Sequence, residues 1–231
     1  MSTPSRSYIA GKLRAFAMFA DIGDQDVALL ADMMTYKQYS KGSFVLTQNE
    51  RGTAMYFLVS GRVKVSLASP EGKELALSYL EAPAHFGEMS LVDAEPRSAD
   101  VIAVSDIEVF ALDARDLSAA IQLQPRLALT LIGTLSRRVR QMISRLEDMA
   151  FHDATHRVMR VLLNVSTASY EAVGLPVIEG LTHYEIATLA GTSRETASRV
   201  ISQLGRDGIL RTKGRKIIVD VLALAQLLES D

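Results

Sequence analysis

The sequence predicts an α+β chain in three parts: an N-terminal β-roll, a long coiled-coil helix and a C-terminal winged helix-turn-helix. Three observations predict it. Between Gly42 and Ala111, short apolar runs alternate with turn residues every ten or so positions, the mark of a compact β-barrel or roll. From Ile132 to Met149, apolar residues are spaced 3, 4, 3, 4, 3, which is a heptad seam. Beyond Thr182, two short helix signals flank Gly191, which is helix-turn-helix spacing. The corresponding boundaries are 1–124, 125–150 and 151–231.

Residues 1–35 read as helical, with apolar positions at Leu13, Phe16, Met18 and Phe19 and again at Val27, Leu29, Leu30 and Met33. Arg62–Leu67 and Ile107–Ala111 alternate polar and apolar residues, as half-buried strands do. Short apolar runs at Ser43–Leu46, Met55–Val59, Leu75–Leu80 and Ala99–Ala103 supply further strands. Gly42, Gly52, Gly61, Pro70-Glu71-Gly72 and Pro83 separate them.

Pro125 suits the first turn of the long helix. Its seam is Ile132, Leu135, Val139, Met142, Leu146 and Met149, flanked by Arg137, Arg138, Arg140, Arg145, Glu147 and Asp148. Such a helix could pack on its own roll, but so narrow a stripe favours a second copy of the chain, hence a homodimer. Phe151-His152-Asp153 interrupts the pattern, and Asp153 is placed to cap a new helix.

Thr182-His183-Tyr184-Glu185 has the form of a capping box. Gly191 permits a turn, and Thr192 or Ser193 caps a second helix, running to about Leu204, with Ala197, Val200, Ile201 and Leu204 on its inner face. Its outward face carries Arg194, Glu195, Ser198 and Arg199. Arginine can bond guanine O6 and N7 together, and glutamate can accept from the cytosine amino group. Glu195 and Arg199 could also form a surface ion pair. A hairpin wing with a basic tip at Lys213-Gly214 follows, suited to phosphate contact.

Net charge over the 231 residues is −2, but Leu181–Lys216 holds seven cations against three anions, a local basic face of the kind double-stranded DNA requires. There is no cysteine, which excludes disulfides and a cysteine-held iron–sulfur cluster. No apolar run is long enough to span a membrane, and the N-terminus lacks a signal-peptide pattern, so a cytoplasmic protein is expected. His152 and His156 stand four residues apart, a spacing that can bind metal on a helix. With no carboxylate-rich partner set evident, exposed imidazoles and no metal are expected. No nucleophile–base set, metal cluster or P-loop indicates an enzyme.

With these motifs in place, nearly the whole chain resembles the cyclic-AMP receptor protein/FNR family of bacterial transcription regulators. Two segments carry the resemblance: Ser193-Arg194-Glu195-Thr196-Ala197-Ser198-Arg199-Val200, and Phe86-Gly87-Glu88-Met89-Ser90-Leu91 followed by Pro96-Arg97-Ser98-Ala99. The resemblance implies a cyclic-nucleotide-binding roll that switches a dimer. Arg194, Glu195 and Arg199 would read a TGTGA-like half-site, with Ser193, Thr196 and Thr182, His183 and Tyr184 on phosphates. Glu88 would bond the ribose 2′-hydroxyl, and Arg97 and Ser98 the cyclic phosphate. Backbone near Gly87 and Ala99 would assist, with Met89 in the same cassette. A Glu88–Arg97 ion pair bracing the roll is the alternative. Arg138 matches a family arginine near the ligand. Met142 and Ile143 stand where cyclic-AMP-binding members carry a Thr-Ser pair that reaches adenine. Neither side chain can hydrogen-bond, so the implied ligand is cyclic AMP or another cyclic nucleotide, its base held by apolar contact. RNA polymerase is the implied protein partner, with Ser166–Gly180 a candidate contact. Two other readings keep parts of this architecture: a ligand-independent regulator of the same fold, and a sensing module acting through protein contacts.

Overall fold

The computed structural model describes residues 4–19, 22–68, 74–168, 177–179, 181–214 and 216–230. It forms two compact units, Met1–Lys73 with Leu77–Val139, and Glu74–Ala76 with Arg140–Asp231. The chain is a mixed helix and sheet structure, as the sequence predicts. The turn at Pro70-Glu71-Gly72 and most of the Ser166–Gly180 loop lie outside the described residues.

The first unit opens with α1 (Arg6–Leu13), a 3₁₀ turn at Ala17–Phe19 and α2 (Asp24–Asp32). The strands are β1 (Met34–Tyr39), β2 (Phe44–Leu46), β3 (Ala54–Ser60), β4 (Arg62–Ala68), β5 (Glu74–Glu81), β6 (Ala84–Phe86), β7 (Asp100–Ala103) and β8 (Ile107–Asp113). They make two four-stranded sheets, ordered β1-β8-β3-β6 and β2-β7-β4-β5. Helix α3 (Met89–Val92) separates β6 from β7, and α4 (Ala114–Leu123) leads to α5 (Arg126–Phe151).

Strands β3 and β8 alternate between two cores. Ala54, Tyr56 and Leu58, with Ile107, Val109 and Ala111, pack between the sheets. Met55 and Phe57, with Phe110 and Leu112, point the other way, against α1, α2, α4 and the first turns of α5. The half-buried strand expected at Ile107–Ala111 is therefore corrected: β8 is buried on both faces because the N-terminal helices cover its outer side. Within Ile107–Ala111 Glu108 alone is half-buried, and the Tyr8 hydroxyl donates to it at 3.1 Å. The N-terminal helical stretch also ends earlier than expected, since β1 begins at Met34 and pairs with β8.

Leu127 and Leu131 of α5 enter the core between β3, β8 and the helices. Further along α5, Ile132, Val139, Met142, Leu146 and Met149 are exposed and Leu135 is half-buried.

The second unit adds α6 (Ala154–Ala168), β9 (Val177–Glu179), α7 (His183–Leu189), α8 (Arg194–Arg206), β10 (Leu210–Lys213), β11 (Lys216–Val219) and α9 (Val221–Ser230). Asp153 caps α6, its carboxylate accepting from the His156 amide at 2.8 Å, as the sequence suggests. The wing is a three-stranded sheet, β10-β11-β9, rather than a bare hairpin. Its core gathers Val158, Met159 and Leu162 of α6 with Ile186, Ala187, Ala197, Val200, Ile201 and Leu204 of α7 and α8. Among the described residues, no helix is long and apolar enough to cross a membrane.

Candidate functional site

In the roll, the site begins where β6 ends. β6 pairs antiparallel with β3, and the Phe86 ring stacks on Tyr56 at 5.5 Å. Gly87 then turns the chain at φ +80°, and a Cβ there would sit 3.0 Å from the Arg97 guanidinium. Residue type is thus set twice over, by backbone sign and by space. The turn delivers Glu88 to the start of α3, where it is only 1% exposed.

A buried carboxylate needs partners. Oε1 of Glu88 accepts from the Arg138 guanidinium, which also donates to the His85 carbonyl at 2.8 Å. Oε2 is buried and has no hydrogen-bond partner among the described residues. The Nε2 of His85 is in the same condition. Burial, with Arg138 and Arg137 nearby, pulls the His85 imidazole down to about 4, so the ring is neutral at pH 7.

Arg97 is 6% exposed. It donates to the Gly87 carbonyl at 2.6 Å, the Ser90 hydroxyl at 2.7 Å and the Ala54 carbonyl at 2.6 Å. Among the described residues no carboxylate pairs with it, so the Glu88–Arg97 bracing alternative is corrected: Glu88 pairs with Arg138. Burial lowers the Arg97 pKa, offset in part by Tyr56 and Glu88, yet a guanidinium stays charged. The result is a buried cation held by neutral acceptors, an arrangement that suits an anion.

Gly87, Glu88 and Arg97 therefore come together, and Arg138 joins through Glu88. Met89 and Ser98 lie at the exposed rim, the Ser98 hydroxyl 3.7 Å from the Met89 sulfur. Ala99 is buried just before β7. Met142 and Ile143 belong to the second unit and are exposed. Sequence reasoning missed three contributors. The Ala54 carbonyl and the Ser90 hydroxyl position Arg97. Gly52, read only as a turn residue, leaves room for Ser90 and Arg97, since a Cβ there would lie 2.4 Å from the Ser90 hydroxyl and 2.8 Å from the Arg97 Cζ.

In the second unit the predicted capping box is present. The Thr182 hydroxyl accepts from the Glu185 amide, and Glu185 returns the bond to the Thr182 amide at 2.7 Å. Gly191 makes the turn at φ +60°. Ser193 caps α8, accepting from the Thr196 amide at 3.2 Å and donating to its hydroxyl. Ala197, Val200, Ile201 and Leu204 are buried, which turns Arg194, Glu195 and Arg199 to solvent. Ser198 is half-buried and bonds His183 Nδ1 at 3.0 Å, joining α7 to α8. Glu195 and Arg199 form no ion pair. The backbone amide of Glu195 is the main influence holding its carboxylate below the ordinary carboxylate value. Tyr184 is exposed, and Lys213 is exposed opposite Lys216 in the wing.

Residues 36–124 match the cyclic nucleotide-binding domain family, and residues 156–227 match the Crp-like helix-turn-helix domain family. The cyclic AMP receptor protein of Thermus thermophilus is 34% identical over 199 residues, covering 86% of this chain and 90% of that protein. The chain belongs to the cyclic-AMP receptor protein/FNR family of transcription regulators. The cAMP-activated global transcriptional regulator CRP of Salmonella typhimurium is 30% identical, covering 79% of this chain and 88% of that protein. Among solved structures, a CooA mutant from Carboxydothermus hydrogenoformans superposes with a TM-score of 0.75 at 25% identity, covering 85% of this chain and 88% of that one. As a cyclic-AMP receptor protein/FNR-type protein, the chain is a transcription regulator with a nucleotide-binding roll and a DNA-binding helix-turn-helix, and not an enzyme.

Proposed function

We propose that the protein is a homodimeric, sequence-specific regulator switched by a cyclic nucleotide, cyclic AMP in the first place, and reading a TGTGA-like palindrome. The observation that carries the ligand reading is the buried Oε2 of Glu88, which has no partner among the described residues. A sugar hydroxyl is the donor it lacks, and leaving it unsatisfied is costly. The charged Arg97 nearby, with no carboxylate partner among the described residues, suits the cyclic phosphate. Ser98 and backbone amides near Gly87 and Ala99 would complete the cradle. Neither Met142 nor Ile143 has a side chain that could hydrogen-bond a base. The relatives named for cyclic AMP support the same ligand.

The exposed seam from Ile132 to Met149 supports a dimer, because an apolar stripe of that length is unfavourable in water. Two copies of α8 would then face successive major grooves, with Arg194, Glu195 and Arg199 on base edges. Thr182, His183, Tyr184, Ser193, Thr196 and Lys213 would meet phosphates. RNA polymerase is the partner that family membership suggests.

One observation favours a ligand-independent regulator: the Arg97 donors already hold three internal acceptors. Calorimetric titration with cyclic AMP and cyclic GMP separates the two readings. Saturable binding that sharpens preference for a TGTGA-like palindrome over random duplex at moderate salt supports the switch. DNA preference without nucleotide binding supports the alternative, and no DNA preference overturns both.

A further inference from the structure

The junction of α5 and α6 gathers residues that neither the nucleotide site nor the DNA-reading face uses. Asp148 is on the last turns of α5, His152 lies in the two-residue break, and His156 is in the first turn of α6. One ligand atom from each lies within 4.8 Å of the others. Asp148 and His156 are buried and His152 is exposed. This corrects the expectation of exposed imidazoles, which holds for His152 alone. It also supplies the carboxylate whose absence argued against a metal.

We propose that Asp148, His152 and His156 form a three-ligand site for a borderline divalent cation, zinc(II) in the first place. Two imidazoles and a carboxylate are a donor set that such ions favour over magnesium or calcium. The two rings stack at 3.7 Å and 5°. Parallel rings send their in-plane lone pairs alongside one another rather than to one point, so one ring must turn to chelate. Exposed His152 can turn about its side-chain torsions without disturbing the core, whereas His156 stays fixed by packing. Arg160 approaches Asp148 at 3.4 Å and can keep one carboxylate oxygen oriented while the other binds, the usual outer-shell arrangement. A water would complete a tetrahedral ion. The site adjoins Arg157, which donates to the His152 carbonyl at 3.0 Å and to the Ala190 carbonyl at 2.9 Å. A bound ion would thus stiffen the break between the helices, one residue from the side chain that holds the turn before α8.

The test is titration of the full chain with cobalt(II), read by its visible absorption, followed by displacement with zinc(II). The expected result is one ion per chain in a site of low symmetry. His152→Ala and Asp148→Asn, each with an unchanged circular-dichroism spectrum, are expected to lose more than the ~10–100-fold in affinity that outer-shell changes cost. No saturable binding at one ion per chain overturns the proposal, as does wild-type affinity in either variant. If Asp148→Asn fails to fold, His152→Ala decides alone, because that side chain is exposed.

Discussion

Glu88 and Arg138 stand fifty residues apart in sequence and share one charge-assisted hydrogen bond, while the second oxygen of the same buried carboxylate has no partner among the described residues. The pair fixes the carboxylate, and the orphan oxygen gives it something to bind. Glu88→Gln keeps the shape and removes the charge. It is expected to weaken cyclic AMP binding by about 10- to 100-fold, the worth of a hydrogen bond to a charged group. Calorimetry reads the affinity. Undiminished binding would detach Glu88 from the ligand.

Arg97 braces three segments through Ala54, Gly87 and Ser90. Arg97→Ala leaves these buried acceptors unsatisfied, at a cost of roughly 2–4 kcal/mol to the roll. Urea unfolding monitored by circular dichroism should show the roll transition at lower denaturant. Unchanged unfolding would mean that water or other donors replace the guanidinium.

Arg194 and Lys213 are both exposed cations, but they are expected to fail differently. Arg194→Ala should cost about 1–3 kcal/mol on the cognate palindrome and relax specificity at one base position. Lys213→Ala should weaken binding evenly across sequences and reduce the salt slope by about one. Fluorescence anisotropy over a salt series, on cognate and scrambled duplexes, distinguishes the two.

Gly191 holds φ +60°, and a Cβ added there would meet the Met149 methyl at 3.2 Å. Gly191→Ala therefore meets both backbone strain and crowding, with an expected loss of ~1–3 kcal/mol. A lowered melting temperature of the helix-turn-helix unit is the measurement. A variant as stable as wild type would show that the turn relaxes freely.

The neutral, half-buried His85 gives the roll a pH dependence. Its pKa falls from 6.5 to about 4, chiefly through burial. Between those values the unfolded chain binds a proton that the folded chain refuses, so stability rises with pH. The contribution is intact above about pH 6.5 and is lost as pH falls toward 4, to a limit on the order of 3 kcal/mol. His85→Phe retains an aromatic ring beside Phe57 and should flatten this part of the profile. Equal slopes for the two proteins in thermal unfolding between pH 4 and 7 would assign the dependence to other groups.

Local pattern carried much of the architecture. The heptad spacing from Ile132 to Met149, the Thr182–Glu185 capping box, the Ser193 cap and the Gly191 turn are each decided within a few residues, so the sequence alone determines them. The outward set of Arg194, Glu195 and Arg199 follows from the inward set by helical period alone. Tertiary structure decided what depends on distant segments. β8 is buried on both faces because helices from residues 6–32 and 114–131 cover it. Arg97 finds an acceptor in Ala54, forty-three residues away. Glu88 meets Arg138 rather than Arg97, which no local spacing foretells. At the helix junction, the four-residue spacing of Asp148, His152 and His156 is visible in the chain. That two of the three are buried became plain only once α6 packed into its core. Periodicity and capping act over a turn or two of backbone, whereas burial and partner choice are settled by which surfaces meet when the chain closes on itself.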